Sequence, residues 1–218
     1  DIMKKSNFLF ILIALIIASC SSPKFKKNPL DDIIKGLTNV QNFSIILYDM
    51  DYHDDKDSYV HQYNIIIDEK DTVTAETTDW KEVSESFFKQ HQNNMGMVIA
   101  SKVNGELKKS AAPPGYNNYI GNEKYGRWEN RNGNSFWSFY GKYAFLSSMF
   151  RMGTYPVRYS YWNDYRTNYY GMGRSYYGPN VNGSTMYGTR SVYNKSYNKN
   201  SKCNSRPSSF KKKVRQRV

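Results

Sequence analysis

FSIILYDM (residues 43–50) and YVHQYNIII (residues 59–67) are rich in β-branched and aromatic residues and flank a polar stretch, residues 51–58. Two such runs around a cluster of turn formers predict a β-hairpin. Upstream, PLDDIIKGL starts with Pro29, carries acids in its first turn and spaces Leu30, Ile33, Ile34 and Leu37 along one face, so it predicts a short helix. Downstream, residues 72–77 read as a further strand. Asp79 then caps a predicted helix running to about His91, with Trp80, Val83, Phe87 and Phe88 on its apolar face. MVIASKV (residues 97–103) predicts a closing strand before the turn at Asn104-Gly105. The expectation is an α+β fold, a small domain over residues 29–110 with a β-hairpin and two or three helices. Its size makes a single core marginal without added burial or partners.

Residues 111–165 have a different character. Pro113-Pro114-Gly115 breaks the chain, and residues 116–134 mix aromatics with Gly, Asn and charges, which predicts turns and short strands. FWSFYGKYAFLSSMF (residues 136–150) contains a single charge, Lys142, and places Phe136, Phe139, Tyr140, Tyr143, Leu146 and Phe150 at i, i+3, i+4 spacing. That stripe predicts one helix that packs on the α+β domain as missing core. As an alternative, its aromatics suit a membrane interface or a docking surface formed by Trp137, Phe139, Tyr140 and Tyr143.

Charge is segregated along the 218 residues. Up to Asp164 there are 19 basic and 19 acidic residues; beyond it there are 12 basic residues and no acid. Residues 166–218 are rich in Tyr, Asn, Ser and Gly, with almost no aliphatics, and read as a disordered basic tail. The run Lys211, Lys212, Lys213, Arg215 and Arg217 is its candidate contact with an anionic polymer. A balanced body with an acid-free arm is unlike a uniformly basic nucleic-acid binder.

The first residues point to a compartment. Lys4 and Lys5 precede FLFILIALIIA (residues 8–18), which is shorter than a bilayer-spanning helix and of signal-peptide length. It ends in Ile17-Ala18-Ser19-Cys20. Residues 3–20 resemble the signal peptide and lipobox of bacterial lipoproteins, with Ile17 where leucine is commoner. The resemblance implies removal of residues 1–19, lipidation of Cys20, and residues 20–28 as a tether. Two or three acyl chains hold a protein firmly where one does so marginally. Ser21 stands where an aspartate often retains such proteins at the inner membrane. The resemblance thus implies the outer membrane, facing the periplasm.

Catalytic constellations are sparse. Asp49, Asp51, His53, Asp55 and Asp57 alternate, but Asp54 and Val60 stand where an EF-hand needs its glycine and bidentate glutamate, so a polar hairpin tip is expected rather than a metal site. His61 reads as a packed or half-exposed strand residue, not a base. Two cysteines and three histidines supply neither a disulfide framework nor a zinc site, and Cys203 has no histidine near it in sequence. No Walker sequence or GxSxG elbow occurs. The expectation is a non-catalytic envelope lipoprotein without a cofactor, contacting lipopolysaccharide or peptidoglycan through its tail, with no nucleic-acid partner. The alternative is an accessory subunit of an outer-membrane complex, docked through the aromatic segment.

Overall fold

The hairpin forms as expected and becomes the centre of a larger sheet. In the computed structural model, which describes residues 28–153, 155–191 and 194, β1 (Asn42–His53) pairs antiparallel with β2 (Ser58–Glu69), Phe43 opposite Ile67 and Tyr52 opposite Tyr59. β1 is buried on both sides. Phe43, Ile45 and Leu47 face one core and Ile46 the other, with Ser44 buried beside it. A near-continuous apolar run is what a strand covered on both faces requires. The register shifts between Leu47 and Asp49, which leaves Tyr48 exposed and returns Met50 to the side of Phe43.

β3 (Thr72–Thr77) pairs with the far half of β2, and β4 (Lys81–Val83) with its near half. On the other side β5 (Val98–Val103) joins β1, and β6 (Glu106–Lys108) joins β5. The sheet is antiparallel, in the order β3-β2-β1-β5-β6. Two helices cover one face. In α1 (Pro29–Gly36) the Asn28 side chain accepts the Leu30 N–H at 3.0 Å, with Asp31 and Asp32 in the first turn. α2 (Glu85–His91) is capped by Ser84, whose hydroxyl accepts the Phe87 N–H at 3.2 Å. The helix expected from Asp79 therefore starts later. Residues 81–83 hydrogen-bond to β2 instead, and Val83 belongs to a strand.

The second face is covered by residues 111–176. Residues 111–120 are buried throughout yet mostly in turns, and their polar groups are met by side chains reaching the strands. The Asn118 amide donates to Lys102 O at 2.8 Å and accepts from the Ser44 hydroxyl at 3.1 Å. The Asn117 amide donates to Ser101 Oγ at 2.7 Å and accepts from the Tyr165 hydroxyl. Over this platform lie β7 (Gly126–Arg131), β8 (Asn134–Phe139), a 3₁₀ turn (Gly141–Tyr143), α3 (Ala144–Met149) and α4 (Tyr159–Asn168). Ile46, Ile66 and Val98 of the sheet share a core with Tyr116, Tyr119, Tyr125, Trp137 and Leu146. The boundary expected at residue 110 thus runs through continuous packing.

The single helix expected over residues 136–150 does not form. Its first part is β8, with Trp137 opposite Trp128, and its last part is the short α3. Asn132 and Gly133, with φ of 49° and 74°, make the tight turn that an Asn-Gly pair favours between twisted strands. Residues 166–191 also depart from expectation. Tyr176 and Tyr187 are buried, and β9 (Asn180–Val181) pairs with β10 (Ser184–Thr185). Tyrosine rings supply here the burial that aliphatic residues usually provide.

Candidate functional site

The residues singled out from sequence separate into four groups. Cys20, Cys203 and the run Lys211, Lys212, Lys213, Arg215 and Arg217 lie outside the described residues. The four docking candidates do not form one surface. Trp137 is 5% exposed and meets Trp128 edge-on at 5.1 Å, and Tyr143 is 2% exposed against Tyr125, also at 5.1 Å. Phe139 is half-buried between Trp137 and Phe150. Tyr140 alone of the four is exposed, at 42%; Phe145 is exposed as well. Because β8 alternates its side chains, the helical stripe that would have aligned all four is absent.

The acidic constellation is a hairpin tip. Asp49 and Asp51 are buried, and their carboxylates accept the N–H of Met50 and Tyr52, each at 2.8 Å. Asp57, in the turn with φ of 46°, accepts the Tyr52 hydroxyl. No group of three His, Cys, Asp or Glu among the described residues is arranged to hold a metal ion.

His61 is fully buried. Its Nδ1 lies 3.2 Å from the Tyr63 hydroxyl, its Nε2 has no hydrogen-bond partner among the described residues, and Phe87, Phe88 and His91 surround the ring. Burial, with a smaller contribution from His91, lowers its pKa to about 3, and burial lowers that of His91 to about 4. Both imidazoles are neutral in the folded protein at neutral pH. Tyr63 titrates well above its ordinary value for the same reason, desolvation.

His91 begins a connection to the C-terminal segment. Its Nδ1 is 3.0 Å from the Asn94 side-chain nitrogen, and Asn94 Oδ1 accepts the Tyr177 hydroxyl at 2.7 Å. Beside it, the Thr189 hydroxyl accepts the Met95 N–H and the Thr189 N–H donates to Asn93 O, both at 3.0 Å. Tyr176 N–H reaches Ala111 O at 2.9 Å. Gly188, at φ of 98°, lies so close that a Cβ there would sit 2.6 Å from Asn93 O. These bonds clasp residues 176–191 to the turn after α2 and to Ala111. Sequence patterning missed the clasp, because its partners are nearly a hundred residues apart.

Electrostatically the body and the C-terminal segment differ. Residues 28–191 carry 17 basic and 18 acidic side chains, whereas residues 195–218 carry nine basic and no acidic ones. The arrangement can therefore hold a cationic segment at one fixed point of a near-neutral body. No family model, curated protein or solved structure matches the chain.

Proposed function

We propose that this chain is a non-catalytic lipoprotein of the bacterial cell envelope. In this reading it is anchored through Cys20, on the outer membrane facing the periplasm, and contacts anionic envelope polymers, lipopolysaccharide or peptidoglycan, through its C-terminal basic segment. The observation that carries it is the charge segregation: nine uncompensated cations come after a near-neutral body that clasps the chain up to residue 191. A cationic run binds an anionic polymer by many weak contacts, not by one shaped pocket. Lipid anchoring fits the ordered lysines, apolar run and cysteine at residues 4–20.

Two measurements test it. Mass spectrometry of the mature N-terminus is expected to find a lipidated Cys20; an unmodified cysteine behind an intact leader would remove the anchor. Full-length protein with Lys211, Lys212, Lys213, Arg215 and Arg217 all changed to Gln is expected to lose most of its binding to isolated envelope. Unaltered protein should release as salt rises, since exposed charge pairs are screened beyond roughly 8 Å at physiological ionic strength. Equal binding by both proteins, or indifference to salt, rejects the tail as the contact. In that event the exposed rings of Tyr140 and Phe145 would be the places to look for a protein partner.

A further inference from the structure

The geometry points to a second anion-binding face, on the body itself, formed by α4 and the turn after it and suited to a linear acidic glycan. The inference rests on the reading that the protein contacts anionic envelope polymers, and it places part of that contact on folded residues. Arg158, Trp162, Arg166, Tyr170 and Arg174 recur every four residues, guanidinium and ring in alternation. α4 spans Tyr159–Asn168, so this spacing lays Arg158, Trp162 and Arg166 along one flank of the helix.

Each guanidinium rests on rings. That of Arg166 lies 3.7 Å from the centre of Tyr170 and 5.8 Å from Trp162. Arg174 lies 5.0 Å from Tyr169, and Arg158 lies 5.7 Å from both Phe136 and Tyr161. From β6, the Lys108 ammonium comes within 4.6 Å of Tyr170. Arg174 is held further by donating to Asn168 O at 2.6 Å. Stacking on a ring occupies the flat side of a guanidinium and leaves N–H groups at its edge, which bind carboxylates and phosphates in pairs.

The three arginines are exposed, and among the described residues none forms an ion pair. Some cations elsewhere on the body are paired: Arg127 and Arg131 both engage Glu129, and Lys108 engages Glu106. Asp164, the acid of α4, bonds to the Asn168 amide instead. Arg158 and Arg166 are about 12 Å apart along the helix axis at the usual rise per residue. One small anion cannot bridge that distance, whereas a polymer with repeated charges can. Single-stranded nucleic acid fits less well, because it gains affinity by stacking bases on open rings, and here the rings carry guanidiniums.

The test uses the full chain and fluorescently labelled polygalacturonate, a linear carboxylated glycan, read by anisotropy at low salt. Five proteins are compared: unaltered, tail-neutralised (the five Gln substitutions above), Arg166→Gln/Arg174→Gln, the combination, and the tail-neutralised protein with Arg166→Lys. In the tail-neutralised background, the arginine double substitution is expected to weaken binding by about tenfold or more, as loss of charge-assisted bonds would. Arg166→Lys, which keeps the charge but not the planar fork, should weaken it by about threefold. Thermal unfolding should not move, since the changed side chains are exposed. Equal glycan affinity with and without the double substitution overturns the proposal. So does tighter binding to oligo(dT) or to phosphatidylglycerol vesicles than to polygalacturonate. An effect of the tail substitutions without one of the arginine pair rejects this face and leaves the tail reading intact; the reverse pattern rejects the tail and leaves the face.

Discussion

The two faces of the central sheet are covered by different chemistry. Toward α1 and α2 the core is Leu30, Phe43, Ile45, Leu47, Met50, Phe88 and Ile99, mainly groups without hydrogen-bonding atoms. Toward residues 111–176 it is a layer of rings, Tyr116, Tyr119, Tyr125, Trp137, Tyr143, Tyr165 and Tyr176, meeting one another or neighbouring rings edge-on or tilted at 4.7–6.3 Å. The first core relies mainly on shape, with Tyr63 as its buried hydroxyl, 3.2 Å from His61. The second must also place hydroxyls: Tyr125 donates to Asp68, Tyr165 to Asn117 and Tyr176 to Tyr161 O, whereas the Tyr119 and Tyr143 hydroxyls have no partner among the described residues. A ring layer is therefore directional and tied to particular residues of the sheet and its platform, while an aliphatic layer tolerates substitution that preserves volume.

The sharpest way to break either side is to empty it. Phe88→Ala and Trp137→Ala should each destabilise by about 3–5 kcal/mol in denaturant titration, because both remove a large buried side chain. If Trp137→Ala were neutral while Phe88→Ala unfolded the chain, the ring layer would be an appendage rather than a core.

Acid distinguishes the faces next, since His61 and His91 both lie on the α2 side. An unfolded chain protonates its histidines near pH 6.5, whereas the folded values are about 3 and 4. Stability is therefore full above about pH 6.5 and falls as pH drops toward 4, by up to about 1.4 kcal/mol per pH unit for each histidine. His61→Phe, which also removes the unpartnered Nε2, should flatten that slope. A slope unchanged by the substitution would place the acid sensitivity elsewhere.

Hydroxyl deletions refine the ring layer. Tyr165→Phe leaves Asn117 Oδ1 without its buried donor and should cost about 1–3 kcal/mol, while Tyr119→Phe, which deletes an unpartnered hydroxyl, should be neutral or stabilising. Equal effects of the two would mean that hydrogen bonds do not organise the layer. The smallest loss expected is that of Gly133→Ala. Its φ of 74° strains an alanine, although nothing lies within 4 Å of the added carbon, so a loss of about 1 kcal/mol should appear in thermal unfolding. No loss would show that the β7–β8 turn tolerates a different backbone.

The two faces were unequally legible. The strands of residues 43–50, 59–67, 72–77 and 97–103 are read from β-branched runs and turn formers, and α1 from its proline, acids and spacing. For residues 136–150 the i, i+3, i+4 aromatic spacing outweighed a better signal, the Asn132-Gly133 pair between RWEN and SFWSF, a pattern that marks a hairpin. The candidate docking face failed with that helix, since Trp137 and Tyr143 are buried. In residues 166–191 scarce aliphatics suggested that no core was possible, yet Tyr176 and Tyr187 are buried there. The four-residue spacing from Arg158 to Arg174 stood in the sequence throughout, but its value depends on which flank of α4 remains exposed.

By itself, the sequence determined the α+β class, the central hairpin and the segregation of charge toward the C-terminus. These arise from local periodicity and composition, which need no knowledge of distant residues. Only the tertiary structure decided that an aromatic layer completes the second face of the sheet, that residues 176–191 are clasped beside α2, and that three arginines of α4 and its adjoining turn stay exposed on their rings. A tyrosine or tryptophan serves equally in a core, at a surface or under a cation, and the choice among these is made by the opposing surface, assembled from residues far away in the chain.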